Sequence, residues 1–156
     1  MARVARWRFL FREDRGEIGA PEWRRGAAMI AAPMIVMTAA WFWLQPYANR
    51  DLSQRPFIDP MAILAFVYLL VFALAILIAG ASCYNLCAKR WRDLGKPPGL
   101  AGLPLFAALV DGAAHWLQPR VSEVMPWWLV VLCDVALVAI LIWQVTELAL
   151  RARQSS

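Results

Sequence analysis

The chain is poor in the side chains that most enzymes use for chemistry. It has one histidine in 156 residues, too few for haem or metal sites built on paired imidazoles. Its three cysteines, Cys83, Cys87 and Cys133, are an odd number set inside apolar runs, which does not build a disulfide framework. A free thiol behaves as a small hydrophobe, so their plain reading is packing. No G-x-S-x-G, H-E-x-x-H, phosphate-binding loop or dinucleotide fingerprint occurs. No nucleic-acid-binding motif occurs, so the net charge of +5 does not point to DNA or RNA. No internal repeat is evident, which argues against a transporter built on inverted repeats. The first apolar run lacks a small-residue cleavage site and is too long for the core of a cleavable signal. The sequence therefore predicts no enzyme, no cofactor and no metal site.

What is there is hydrophobic length. Apolar residues make up 62% of the chain and the mean hydropathy is +0.53, where a soluble domain carries roughly half apolar residues. The expected fold is all-α: a polytopic membrane protein with transmembrane helices over 26–44, 61–83, 100–117 and 126–148. Each run approaches or exceeds the ~20 residues that cross ~30 Å of hydrocarbon. Together they form a four-helix domain over 26–149, preceded by a basic segment 1–25 and followed by a polar tail 150–156. Trp41, Trp43, Trp127 and Trp128 fall at one rim, as aromatic belts do. Pro33 is expected to kink the first span, and Pro46, Pro56 and Pro60 to break any helix between the first and second. The second helix can continue to Arg92. The third span is the weakest, because it holds Gly102, Pro104, Asp111, Gly112 and His115. Spanning is preferred to a re-entrant course, since the fourth span must start opposite to Arg151 and Arg153.

Charge sets the orientation. Arg3, Arg6, Arg8, Arg12, Arg15, Arg24 and Arg25 precede the first span. Lys89, Arg90, Arg92 and Lys96 lie between the second and third, and Arg151 and Arg153 end the chain. The other two loops hold only Arg50, Arg55 and Arg120. Cationic loops stay in the cytoplasm, so both termini are expected there. Arginines alternate with Trp7, Phe9, Leu10 and Phe11 between Arg3 and Arg12, which predicts an amphipathic helix lying in the headgroup layer. Anionic lipid headgroups are the partner such basic segments attract.

Ionisable groups within spans are expensive and so draw attention. Asp111 and His115 lie four residues apart, on one helix face, and Asp134 enters the neighbouring antiparallel span at a similar depth. Three readings stay open: a proton- or cation-accepting site, a hydrogen-bonded trio that glues two helices, or a short third span whose histidine reaches the interface. Glu147 is expected to pair with Lys89 or Arg90, or to reach water.

Two segments carry a family resemblance. They are GEIGAPEW, residues 16–23, and AKRWRDLGKPPGLAGL, residues 88–103. The chain resembles the bacterial membrane family called domain of unknown function 805. Gly16, Ile18, Glu22 and Trp23 match the box that family carries before its first span. Lys89, Arg90, Asp93, Gly95 and Lys96 match its second box. Glu17 and Ala20 stand where the first box has arginines, Arg92 where the second has histidine, and Pro97, Pro98 and Gly99 where it has a Ser-Gly-Trp stretch. The resemblance implies a small bacterial inner-membrane protein and no particular reaction. Glu22 is expected to reach Lys89 or Arg90, so that the two boxes clamp the spans together, and the basic groups to hold lipid phosphates.

The functional expectation is a structural or accessory protein that packs against other membrane proteins or itself. Small residues at Gly80, Ala81, Gly102 and Ala113 would allow close helix contact. The alternatives are a proton or ion relay through Asp111, His115 and Asp134, and a protein that binds anionic lipid.

Overall fold

A computed structural model of the chain describes residues 2–48, 59–122 and 125–151. The expected loop charges Arg50, Asp51 and Arg55, with Pro56, lie outside the described residues, as do Arg153 and the tail after it. Among the described residues the structure is all helix with no strand. Helix α1 runs Ala2–Phe11, α2 Ala20–Ala48, α3 Pro60–Asp93, α4 Leu103–Leu117 and α5 Trp127–Leu150, with short 3₁₀ turns at Pro98–Gly102 and Gln118–Arg120. Four segments are long and apolar enough to cross a membrane: α2, α3, Pro98–Arg120 and α5. The weak third segment reaches that length, 23 residues, because a 3₁₀ turn extends α4 at each end.

The proline expectation is corrected in part. Pro46 does not end α2 but sits inside its last turn. There its missing N–H removes only one hydrogen bond, in a turn that is already free to fray. Pro60 opens α3, where no N–H is needed, behind Asp59, whose carboxylate accepts the Met61 N–H at 3.0 Å.

The other end of α3 stops as the sequence indicates. Gly95 takes φ +69°. Its N–H donates to the Arg92 carbonyl at 2.8 Å and the Lys96 N–H to the Trp91 carbonyl at 2.9 Å, the paired bonds of a left-handed Schellman cap. No atom lies within 4 Å of where a Gly95 Cβ would sit, so a side chain there meets only the backbone penalty. Gly95→Ala is expected to lower stability by about 1 kcal/mol and Gly95→Asn by less, read as thermal unfolding in detergent. Equal losses in both variants would contradict this cause.

Apart from Leu44, Ala62, Ala65, Ala114 and Val130, the buried hydrophobic core forms one cluster. It gathers at the end where α1, the start of α2, the end of α3 and the end of α5 meet, around Phe11, Ile18, Trp23, Leu86, Cys87, Trp91 and Leu148. This is the basic end. Trp91 is fully buried and stacks on Trp143 with ring centroids 5.4 Å apart. Gly26 lets α2 approach α3: a Cβ there would stand 2.7 Å from Leu86 Cδ1. Farther along, the Tyr68 hydroxyl donates to the Met37 carbonyl at 2.7 Å and ties the same two helices.

Candidate functional site

Two polar constellations stand out, one at each end. At the basic end, Asn85, Lys89 and Arg92 follow one another at spacings of four and three and so share a face of α3. That face meets the C-terminus of α1, whose last carbonyls have no partners within their own helix. The Lys89 ammonium donates to the carbonyls of Phe9, Leu10 and Glu13. The Asn85 amide donates to the Phe11 carbonyl at 2.9 Å, and Arg92 donates to the carbonyls of Asp14 and Gly16. A cation at a helix C-terminus also suits the helix dipole. Lys89 lies over the Phe9 ring as well, 4.8 Å from its centroid.

Arg90 points the other way and does the same for α5. Its Nε donates to the Leu148 carbonyl at 3.0 Å, one terminal nitrogen donates to the Arg151 carbonyl, and the other pairs with Asp93. Lys89 and Arg90 are among the largest fully buried side chains of the protein. Adjacent residues on one helix thus hold two other helices by their carbonyl ends.

Two expected pairings are corrected. Glu22 does not reach Lys89 or Arg90 but accepts from Arg6 at 3.0 Å. Glu147 accepts from Lys96 at 2.9 Å and Arg151 at 2.8 Å. The reason is common to both: Lys89 has spent its donors on main-chain oxygens and Arg90 on main-chain oxygens and Asp93, so Glu22 and Glu147 take more exposed cations. The two segments of the resemblance do pack together, with Ile18 and Trp23 in the same core as Trp91. Cys83 and Cys87 lie side by side, with sulfurs 3.9 Å apart. The indole N–H groups of Trp23 and Trp91 and the amide oxygen of Gln144 are buried without hydrogen-bond partners among the described residues.

At the far end, α4 and α5 bring Asp111, His115 and Asp134 together. One ligand atom from each lies within 4.8 Å of the others. His115 Nε2 is 3.0 Å from Asp134 Oδ1. Asp111 Oδ1 is buried and has no hydrogen-bond partner among the described residues. The Trp127 ring stands edge-on to His115, centroids 6.2 Å apart. Asp134 lies seven residues into α5, about 10 Å along the helix axis, within a segment long and apolar enough to cross a membrane. The side chains of His115 and Asp134 are nevertheless 46% and 44% exposed. Two carboxylates and an imidazole can hold a proton between them, accept a divalent cation, or bond a polar group on another helix.

Below Asp134, along one stripe of α5, Val135, Val138, Ala139 and Ile142 line a shallow open groove of about 340 Å³. Asp134, Val138 and Ile142 recur every four residues, so the stripe is one helix face.

The sequence pointed to the far-end trio and to the basic motif. It did not point to Asn85, to Gly26 or to the main-chain acceptors of α1 and α5. The spacing of Asn85, Lys89 and Arg92 is the signal that marks that face. No protein-family model, curated protein or solved structure matches this chain.

Proposed function

We propose that this chain is a non-catalytic accessory protein of the bacterial inner membrane, which packs through α4 and α5 against another membrane-embedded helix. In this reading both termini and the basic end lie in the cytoplasm, as the positive-inside rule favours, and α1 lies in the headgroup layer. The buried cations of the basic end hold the helices in register. The family resemblance described above supports the same setting.

The observation that carries the reading is the exposure of Asp134 and His115 at bilayer depth. A half-exposed carboxylate facing lipid is costly. A partner helix with a hydrogen-bonding group would cover it, and Ala139 in the stripe below allows close approach. Such an intramembrane polar contact contributes about 1–2 kcal/mol, a factor of roughly five to thirty in association. A photo-crosslinking residue at Val138 is expected to give one discrete product in native membranes, and that product is expected to fade when Asp134→Ala is added. A crosslinker at Ile35, exposed on α2, is the control. Equal, diffuse products from both positions would remove the proposal.

One observation favours a second reading, a proton or cation relay through the same trio. Asp111 Oδ1 is buried with no partner among the described residues, as an oxygen awaiting a proton or cation would be. In that case a divalent cation such as Zn²⁺ raises the melting temperature of the detergent-solubilised protein in a concentration-dependent way, and Asp111→Asn abolishes the increase. A melting temperature indifferent to the cation, and whose pH dependence is the same in the wild type and in Asp111→Asn, would end this reading.

A further inference from the structure

The junction of α1 with α2 and α3 carries a second feature that neither reading uses. Between α1 and the first turns of α2 lies a hollow of about 430 Å³ whose polar wall is Arg6, Glu22 and Arg25 and whose apolar wall includes Trp7 and Met29. Trp7 and Met29 are also walls of a second hollow of about 250 Å³, which runs between α2 and α3. The two therefore adjoin. The second is almost wholly apolar, with Pro33 and Met37 on the α2 side and Ile78 and Ala79 on the α3 side.

Length and charge identify what fits. From Arg25 to Met37 the groove follows α2 for twelve residues, about 18 Å along the axis. Half of ~30 Å of hydrocarbon is about 15 Å, so the groove spans one leaflet together with the start of its headgroup layer. Near Met37 the Tyr68 hydroxyl joins α3 to α2. At its polar mouth Arg6 is paired with Glu22. Arg25 has no carboxylate partner among the described residues. Trp7, 59% exposed, stands where the two hollows meet, the level at which indoles settle between headgroup and chain.

We infer that this groove is a binding site for one anionic phospholipid, with the phosphate at Arg25, the glycerol backbone beside Trp7 and an acyl chain between α2 and α3. The free guanidinium gives preference for a headgroup of net negative charge, since Glu22 and Arg6 already neutralise each other. Arginine suits a phosphate because its planar fork can donate two parallel hydrogen bonds. The groove supplies affinity that a free phosphate lacks. Methionines at Met29, Met34 and Met37 line it with flexible, polarisable side chains that adapt to a kinked or straight chain. The site requires only that α2 and α3 cross a bilayer and not which side is the cytoplasm. It is also remote from Asp134, so its failure would leave the partner-helix proposal standing.

The test is native mass spectrometry of the full-length protein, stripped of lipid in detergent and titrated with phosphatidylglycerol or phosphatidylcholine. One phosphatidylglycerol is expected to remain bound through mild activation, at an affinity about fivefold above phosphatidylcholine, the factor one interfacial arginine supplies. Arg25→Gln, an exposed substitution that leaves the core untouched, is expected to equalise the two lipids. Ala79→Trp, which fills the groove, is expected to weaken both. Glycerol phosphate, the headgroup without chains, is expected not to compete. Equal binding of the two lipids to the wild type, an unchanged preference in Arg25→Gln, or displacement by glycerol phosphate would each overturn the assignment.

Discussion

Replacing Lys89 with methionine is expected to release α1 from the bundle. Methionine keeps the apolar length of the lysine stem, so the change removes the ammonium and little else. Three carbonyls at and just beyond the end of α1, those of Phe9, Leu10 and Glu13, then lose their shared donor. Hydrogen bonds to charged groups contribute about 1.5–3 kcal/mol each, and a buried acceptor left unpaired costs a further 1–3 kcal/mol or so. The chain has a cheaper outcome than keeping them buried, because α1 can undock and let water reach its carbonyls. The loss is therefore limited to what α1 docking contributes, about 3–5 kcal/mol if Lys89 behaves as a buried charged partner does. Trypsin checks it directly, since Arg12 and Arg15 flank the released segment. Cleavage there is expected to rise by at least about a hundredfold, while the helical content of α2 to α5 is unchanged. Cleavage at the wild-type rate would mean that Asn85 and Arg92 hold α1 without the lysine.

The second large effect is steric. Gly26→Val is expected to push α2 from α3 at the basic end, because a Cβ alone would stand 2.7 Å from Leu86 Cδ1 and 3.0 Å from Cδ2. Overpacking of this kind costs about 1–3 kcal/mol. Leu86 is buried in the same core as Trp23 and Trp91, so it has little room to turn aside. The decisive variant is the double one. Leu86→Ala alone opens a cavity and is itself destabilising, by about 2–5 kcal/mol. Combined with Gly26→Val, the two changes compensate each other in volume, and the double variant is expected to be more stable than Leu86→Ala alone. Thermal unfolding in detergent gives all three values. Losses that simply add would show that the two residues do not share one contact.

Much of this architecture is legible in the residues, for reasons that differ along the chain. The spans are legible because apolar length is their cause. The end of α3 is legible because Arg90 and Arg92 suit a helix C-terminus and Gly95 can turn left-handed there. The far-end trio is legible because Asp111 and His115 sit one turn apart and the following helix must return antiparallel beside them. The pairing of the basic motif is not. Reading charges suggests carboxylate partners for Lys89 and Arg90: Glu22, and Glu147 unless it reaches water. The actual acceptors are mostly main-chain oxygens at helix ends, which every residue carries and no letter of the sequence marks. Pro46 is misleading for a related reason: its cost depends on its distance from the helix end, and that end is not written in the residues around it.

The exposed pair His115 and Asp134 remains the feature that most needs a partner, and the native mass of the gently extracted protein tests that need directly. The account predicts a complex heavier than the 17.6 kDa chain, containing either a different subunit or a second copy in fixed stoichiometry, that dissociates in Asp134→Ala while the variant stays folded. A lone chain with bound lipid only, unchanged by that substitution, would contradict it.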